Sequence, residues 1–192
     1  MPILGTIDSA KTGRLSNPAY FQIATATVSG TSSYTFSSIP QDYDHLQFRI
    51  FAKDSRTPVY SGMEMRFNGD SATNYWYSFA DVATTQVPTF GNYYNVAADS
   101  SYMGNIPGSS GNNYWASGWT TIFNYKNTSM WKYSSGVLGN NSVGDGSYGG
   151  FVSQPGNVWR NNAAITSILV RSNTSSTFQS GTRISLYGIK GS

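Results

Sequence analysis

Hydrophobic and polar residues alternate along two stretches in the first half of the chain. The apolar positions are Leu46, Phe48 and Ile50 in the first stretch and Met63, Met65 and Phe67 in the second. Alternation with a period of two places apolar side chains on one face, so we predict half-buried strands over residues 45–51 and 62–70, the second of which ends in a turn. Asn68-Gly69 at the end of the second strand predicts a tight turn. If the two strands pair, Arg49 lies opposite Glu64 across the sheet.

Further short strands are predicted along the rest of the chain, separated by turn residues. They cover residues 21–30, 33–39, 120–127, 130–139, 161–172 and 182–191, with Asn127-Thr128-Ser129 as the turn of a hairpin. Residues 71–120 are less regular, and residues 139–150 read as a glycine-rich surface loop. Eight or so short strands predict an all-β chain. We expect a single antiparallel β-sandwich, jelly-roll-like, over residues 20–192.

An extended N-terminal arm is expected over residues 1–19, which contain two prolines, two glycines and little periodicity. Such a segment buries little surface by itself and is suited to lie along another subunit. Arms of this kind can extend a neighbour's sheet edge through main-chain hydrogen bonds. The candidate anchoring residues are Pro2, Ile3, Leu4, Ile7, Lys11, Arg14 and Leu15.

The composition matters chiefly for the classes of protein that it excludes. Charged residues make up 11% of the 192 residues, against roughly 25% in an average soluble protein. The 12 basic residues form no run or stripe, so no nucleic-acid partner is expected. The absence of cysteine and the single histidine exclude disulfides, thiolate metal sites and histidine-rich metal sites. Neither a signal peptide nor an apolar run long enough to span a membrane is found, so no membrane insertion is expected.

The single histidine, His45, lies close to Asp42 and Asp44 in "PQDYDH". A carboxylate–imidazole pair could perform general acid–base chemistry, but proline and aspartate in this pattern are typical of a turn. We interpret the cluster as a sheet corner, expect no catalytic residue and no cofactor, and expect no metal site. "FNGDSATN" is read as a turn rather than a calcium loop, because the EF-hand spacing is absent.

Two carboxylates facing each other across a groove could still form a glycan-cleaving site. The candidates for such a pair are Asp42, Asp70, Asp99 and Glu64, and nothing in their spacing selects two of them. We therefore expect a protein that is not an enzyme.

Aromatic residues occur in consecutive runs, which in a strand must face both sides of the sheet. The runs are Tyr75-Trp76-Tyr77, Tyr93-Tyr94 and Tyr114-Trp115. Core packing can absorb about half of them, and exposed tyrosine and tryptophan are typical of protein interfaces and of stacking platforms for sugars. We favour an interface over a glycan site for the remainder.

Several segments resemble small virion proteins of tailed bacteriophages, especially those of aquatic hosts. They are "MPILG", "IATATV", "TFSSIPQDYDHLQFR", "RFNGDSATNY", "IFNYKNTSMWK", "VWRNNAAITSI" and "ISLYGIKG". These segments run in the same order over nearly the whole chain, with a poor match over residues 74–119. The resemblance implies a β-sandwich structural protein of the virion and no enzymatic residues.

Two virion roles follow from this resemblance. A capsid decoration or cement protein would bind the major capsid protein or other virion proteins through its arm and sandwich edges. A tail fibre or tip adhesin would bind host surface glycans through exposed aromatic loops. No coiled-coil, collagen-like or β-helix repeat of a fibre shaft is found, which favours decoration. We expect a homo-oligomer, with a trimer favoured, located in the virion after assembly in the host cytoplasm.

Overall fold

The computed structural model describes residues 19–57, 60–83, 89–109, 114–140, 150–173 and 176–191, with backbone alone for residues 83 and 89–97. These residues form twelve strands and no helix. The strands are β1 Tyr20–Val28, β2 Ser33–Phe36, β3 His45–Ala52, β4 Tyr60–Phe67, β5 Tyr75–Ala83, β6 Thr89–Ala98, β7 Ser101–Pro107, β8 Ala116–Phe123, β9 Lys132–Asn140, β10 Phe151–Trp159, β11 Ile168–Ser172 and β12 Thr182–Ile189. Within this part of the chain, nothing helical is long and apolar enough to cross a membrane.

The strands build two antiparallel sheets that pack as a sandwich. The larger sheet has the order β1-β12-β3-β8-β9-β10-β5-β6, and the smaller has the order β2-β11-β4-β7. Their facing sides enclose a core with large buried side chains such as Phe48, Phe67 and Trp159. The prediction of an all-β antiparallel sandwich is therefore confirmed.

The alternation in the first half of the chain has the predicted structural effect. All six predicted apolar positions of β3 and β4 are buried, at 4% exposure or less. Asn68 and Gly69 both adopt positive φ, as the predicted tight turn requires. The predicted contact between Arg49 and Glu64 is wrong, because β3 and β4 lie in different sheets and Glu64 lies opposite Arg171 on β11.

Four strands lie where the sequence predicts none or only irregular structure. These are β5, β6 and β7 within residues 71–120, and β10 just after the glycine-rich segment. The predicted strand over residues 161–172 is confirmed only at its end, because β11 begins at Ile168. The predicted hairpin of β8 and β9 is confirmed by a continuous antiparallel register from Ser117↔Gly139 to Phe123↔Tyr133.

Eight of the twelve strands form a frame, to which β5, β6, β9 and β10 are added. In chain order, the eight frame strands are β1, β2, β3, β4, β7, β8, β11 and β12. The first pairs with the last (β1 with β12), the second with the seventh (β2 with β11), the third with the sixth (β3 with β8) and the fourth with the fifth (β4 with β7). The same pairs form when one long antiparallel hairpin folds over so that its strands are shared between two sheets. The added strands extend the larger sheet beyond β8, and β10 pairs with β5.

Candidate binding face of the larger sheet

The larger sheet presents one side to the core and one side away from it, which we call the outer face. Every second residue of its strands points outward, because successive side chains in a strand alternate between the two sides of a sheet. Several large apolar side chains on this face are 38–48% exposed: Phe51, Val82, Trp119, Phe123, Tyr133 and Val152. The outer face therefore carries six of the exposed large apolar side chains of the described residues.

The outward positions of β9, β10 and β5 hold no charged residue, and we call this half of the outer face the neutral face; Arg160, which follows β10, reaches only its end at Trp76. Its outward residues are Tyr133, Ser135, Val137 and Gly139 on β9, Val152, Gln154, Gly156 and Val158 on β10, and Trp76, Ser78, Ala80 and Val82 on β5. Cross-strand register places Val152 opposite both Val82 and Gly139. Small residues alternate with valine and aromatic residues, so the surface is flat enough for another sheet to approach closely.

Two tryptophans mark one end of the neutral face. Trp131 lies edge-on to Trp76, with ring centroids 6.1 Å apart, and is 42% exposed. The guanidinium carbon of Arg160 lies 4.3 Å from the centre of the Trp76 ring, a cation–π contact that covers one side of the indole. Trp131 is therefore more accessible than Trp76, which is half-buried.

The other half of the outer face holds a shallow depression on β3, β8 and β12, which we call the arginine depression. Its large side chains are Arg49, Phe51, Trp119, Arg183 and Tyr187, and its small residues include Ser117, Gly118 and Ser185. Trp115 stacks flat on Phe51, with ring centroids 4.8 Å apart and an interplanar angle of 7°. The depression thus combines aromatic rings, hydroxyl groups and two cations.

The two arginines lie close together without a carboxylate between them. Arg49 is directly opposite Ser185 on β12 and Trp119 on β8, and Arg183 is directly opposite Phe51. Arg49 and Arg183 are thus diagonal neighbours, a relation that spans roughly 7–8 Å in antiparallel sheets. Within the described ranges, the ion pairs involve Arg66, Arg171 and Lys126 and neither of these two arginines.

A short hydrogen-bonded chain fixes Arg49 along the sheet. Gln47 Nε2 donates to Thr121 Oγ1 at 2.9 Å, and Gln47 Oε1 accepts from Arg49 Nε at 2.8 Å. The guanidinium carbon of Arg49 lies 5.8 Å from the centre of the Tyr20 ring. These contacts hold Nε, whereas the two terminal nitrogens of Arg49 have no hydrogen-bond partner in the part of the chain that is described.

The predicted aromatic candidates are distributed over several environments. Tyr75 is fully buried in the core, where its hydroxyl donates to the carbonyl of Asp70, so its assignment to an exposed glycan or interface site is corrected. Tyr77 points to the inner side of its sheet and stacks on Tyr102 at 5.7 Å. Trp76 lies on the neutral face, as described above, and Trp115 borders the arginine depression. Tyr114 is half-buried just before β8.

Two other groups of predicted site residues lie outside the described part of the structure. The side chains of Tyr93 and Tyr94 belong to β6, of which only the backbone is described. The anchoring candidates from Pro2 to Leu15 belong to residues 1–18, which are not described. The arm therefore stays a prediction.

The His45 cluster joins three strands through backbone contacts. His45 Nδ1 accepts from the backbone N–H of Asn124 at 3.1 Å, and the Asp44 carboxylate accepts from the N–H of Gly191 at 2.7 Å. Asp44 also forms an ion pair with Lys126 at 3.2 Å. These contacts tie the start of β3 to the ends of β8 and β12, which is the geometry of a sheet corner.

The other carboxylates that the sequence offers for catalysis are engaged in structural contacts. Asp70 accepts from Trp159 Nε1 at 2.7 Å and from the backbone N–H of Ala72 at 2.9 Å. Glu64 and Asp99 both accept from Arg171 Nη2, at 2.8 and 2.9 Å. In the described ranges, no group of three or more histidine, cysteine, aspartate or glutamate side chains is arranged to hold a metal ion.

Asp81 is a partly buried carboxylate with no cation beside it in the described part of the chain. Asp81 Oδ2 accepts from Asn105 Nδ2 at 2.9 Å and faces the Tyr102 hydroxyl, whereas Oδ1 is buried with no partner among the described residues. Burial raises the pKa of Asp81, although hydrogen bonds from Ser153, Tyr102 and Asn105 act in the opposite direction. Asp81 lies on the inner side of β5 and joins it to β7, so it belongs to the packing of the sandwich rather than to the outer face.

Sequence reasoning missed most residues of the arginine depression. The alternation in residues 45–51 does place Arg49 and Phe51 on the outward side of β3. Arg183 and Trp119 are equally outward on β12 and β8. These residues lie next to one another only because β3, β8 and β12 are neighbours in the sheet. The local sequence pattern does not predict this long-range order of strands.

No protein-family model matches the chain, and no curated protein matches its sequence.

Proposed function

We propose that the protein is a non-enzymatic structural component of a tailed-bacteriophage virion, acting as a capsid decoration or cement protein that self-associates through the neutral face. The observation that carries this proposal is the charge-free surface of β9, β10 and β5. On this proposal the protein is assembled in the host cytoplasm and located in the virion. Residues 1–19 are proposed as the anchor on the major capsid protein or another virion protein.

The neutral face fits another copy of the same chain. Val82 and Val152 are each close to half exposed and lie directly opposite each other at one end of the neutral face, and Tyr133 lies opposite Val158 at the other end. Exposed apolar side chains that lie side by side are typical of an interaction surface. Depletion of charge is characteristic of the centres of protein interfaces. A surface without charged residues cannot be matched by opposite charges on a partner. It therefore packs best on a second surface without charged residues, which an identical subunit supplies. We propose a homo-oligomer on this basis and favour a trimer.

The strand pairing of the eight-strand frame supports the virion assignment. We infer a jelly roll from the pairing of first with last, second with seventh, third with sixth and fourth with fifth strand. Jelly rolls are common among viral capsid and lectin domains. Because a fold by itself does not determine function, this pairing adds to the resemblance and to the neutral face without replacing them.

The contacts of the acidic residues support a non-enzymatic role. Glu64 and Asp99 share the guanidinium of Arg171, and Arg66 also contacts Asp99. A general acid or base must present its carboxyl group within hydrogen-bond reach of the substrate, whereas these two carboxylates are held by the guanidinium of Arg171. Through Arg171, Glu64 and Asp99 link β4 and β11 to the segment before β7.

Immuno-gold labelling of intact particles, observed by electron microscopy, tests the proposal. We expect label over the capsid lattice, and we expect a variant lacking residues 1–19 to fold but no longer bind particles. Absence of the protein from purified virions would overturn the assignment. Full docking of the variant without the arm would overturn the anchoring role of residues 1–19.

A tail fibre or tip adhesin is the second candidate function. The observation that favours it is the arginine depression, whose rings and cations are suited to host surface glycans. Trp76, one of the aromatic candidates from the sequence, has one ring face covered by Arg160, so the more exposed Trp119 is better placed. Label confined to the tail would select this alternative over decoration.

A further inference from the structure

We propose that the arginine depression binds acidic saccharides, with its two guanidinium groups engaging sugar carboxylate or sulfate groups and its aromatic rings stacking on the sugar. This site goes beyond the decoration role, because it requires only that the outer side of β3, β8 and β12 remains accessible. It differs from the aromatic runs that the sequence suggests, since of those residues only Trp115 contributes, by stacking on Phe51.

Charge complementarity selects an anion as the ligand. Arg49 and Arg183 are diagonal neighbours on adjacent strands, and like charges at this spacing repel each other. Neither arginine forms an ion pair with a carboxylate within the described residues. A bound anion between them would remove the repulsion. Arginine also presents a planar fork of donors that matches a carboxylate or sulfate group in two hydrogen bonds.

The surroundings of the arginines select a saccharide among possible anions. Trp119 is directly opposite Arg49 and is 40% exposed, so its ring is available beside the guanidinium. Phe51 is 45% exposed and directly opposite Arg183. The small residues Ser117 and Gly118 between these rings leave room for a flat ligand. An apolar ring next to a cation fits a pyranose that has one apolar face and one acidic substituent.

Arg49 is also pre-oriented for binding. Its Nε is held by Gln47, which is itself held by Thr121, so part of the side-chain entropy is lost before a ligand arrives. The terminal nitrogens, which make the bidentate contact to a carboxylate, have no hydrogen-bond partner in the described part of the chain. This arrangement distinguishes Arg49 from Arg171, whose terminal nitrogen is occupied by Glu64 and Asp99.

Binding of defined polysaccharides to the full chain tests the site. The probes are polygalacturonate, which carries carboxylates, dextran sulfate, which carries sulfates, and neutral dextran. We expect the first two to bind at least about tenfold more tightly than dextran, and we expect Arg49→Gln and Arg183→Gln each to weaken binding about tenfold. Lys190→Gln is the matched control, because it removes the same charge from an exposed position at the other end of β12.

Trp119→Val separates a saccharide site from a site for acidic protein segments. It should weaken polygalacturonate binding and leave the binding of poly-glutamate unchanged. Equal binding of poly-glutamate and polygalacturonate, both indifferent to Trp119→Val, would overturn the saccharide assignment. An equal loss in Lys190→Gln and in the two arginine variants would also overturn it, by showing non-specific attraction to charge.

Thermal unfolding gives a second readout that does not depend on immobilised polymer. A ligand that binds only the folded chain raises the unfolding temperature, so polygalacturonate should raise it for the native protein and for Lys190→Gln. The arginine variants should unfold near the native temperature without ligand and show a smaller rise with it than the native protein. A rise as large as the native one in both arginine variants would contradict the proposed site.

Discussion

Replacing Val152 by glutamate is the most direct perturbation of the proposed self-association. Val152 is 47% exposed and lies directly opposite Val82, on the central strand of the neutral face and near one end of that strand. Fully burying a valine contributes about 1.5–3 kcal/mol, so covering the exposed half of this side chain would contribute about 0.7–1.4 kcal/mol to an interface. The glutamate loses this contribution and adds the desolvation cost of an unpaired charge. We therefore expect Val152→Glu to weaken association by at least about tenfold.

Sedimentation velocity over a range of protein concentrations measures this effect. Thr35→Glu is the matched control, because it adds the same charge at an exposed position of β2 in the smaller sheet. Val152→Thr keeps the shape of the side chain and removes part of its apolar surface, so an intermediate loss is expected. If Val152→Glu and Thr35→Glu associate equally well, or if the native chain is a monomer at all concentrations, the neutral face is not where copies meet.

Three further predictions concern stability, and chemical denaturation measures each of them. Hydrogen bonds from Asn74, Trp159 and Ala72 lower the pKa of Asp70 although burial acts to raise it, so the stabilisation is present above pH 3.8 and lost below it. Asp70→Asn should cost about 1 kcal/mol near pH 7, and a cost that does not diminish as the pH falls below 3.8 would contradict this origin. Burial raises the pKa of Asp81, so ionisation above pH 3.8 destabilises the native chain, and Asp81→Asn should become relatively more stable between pH 4 and pH 7. Arg171→Met leaves Glu64 and Asp99 without their shared cation and should cost about 1–2 kcal/mol, whereas Lys126→Met at an exposed ion pair should have a much smaller effect. Equal losses in these two variants would refute the structural role of Arg171.

The sequence predicts a strand well where one side of it faces the core and the other faces water. β3 is such a strand, with Leu46, Phe48 and Ile50 buried and Arg49 and Phe51 exposed. β12 has the same pattern at Ile184 and Leu186, which the sequence places in a strand over residues 182–191. In both cases the hydrophobic period is an adequate guide, because burial alone decides which side chain faces which way.

β10 escapes prediction because polar residues interrupt the apolar residues on its buried side. Ser153 and Asn157 point inward, where Ser153 Oγ accepts from the N–H of Asn105 and Asn157 Oδ1 accepts from the N–H of Tyr102. These side chains satisfy backbone groups of β7, which the extended sheet covers. Pro155 also argues against a central strand, yet the register between β10 and β9 has no pair at Pro155. At Ser153 and Asn157, burial therefore does not follow the hydrophobicity of the residue.

β5 escapes prediction for the opposite reason. Its inward residues Tyr77 and Phe79 pack on Tyr102, and its outward residues Trp76 and Val82 belong to the neutral face. Apolar side chains on both sides erase the period of two. The apolar side chains on the outward side also make β5 part of a candidate interface. The residues that the pattern fails to predict are therefore residues of functional interest.

The two proposed interactions occupy different strands of one face and should be separable. The arginine depression lies on β3, β8 and β12, whereas Val152 lies on β10, beyond β9. An oligomer binds a long polymer through several sites at once, and this multivalency strengthens apparent binding without a new contact. Val152→Glu should therefore weaken binding to polygalacturonate but leave the affinity for trigalacturonate, which engages one site at a time, unchanged. Isothermal titration with the trisaccharide distinguishes the two cases. If the trisaccharide affinity also falls, the depression is completed by a neighbouring subunit, and association and ligand binding form a single site.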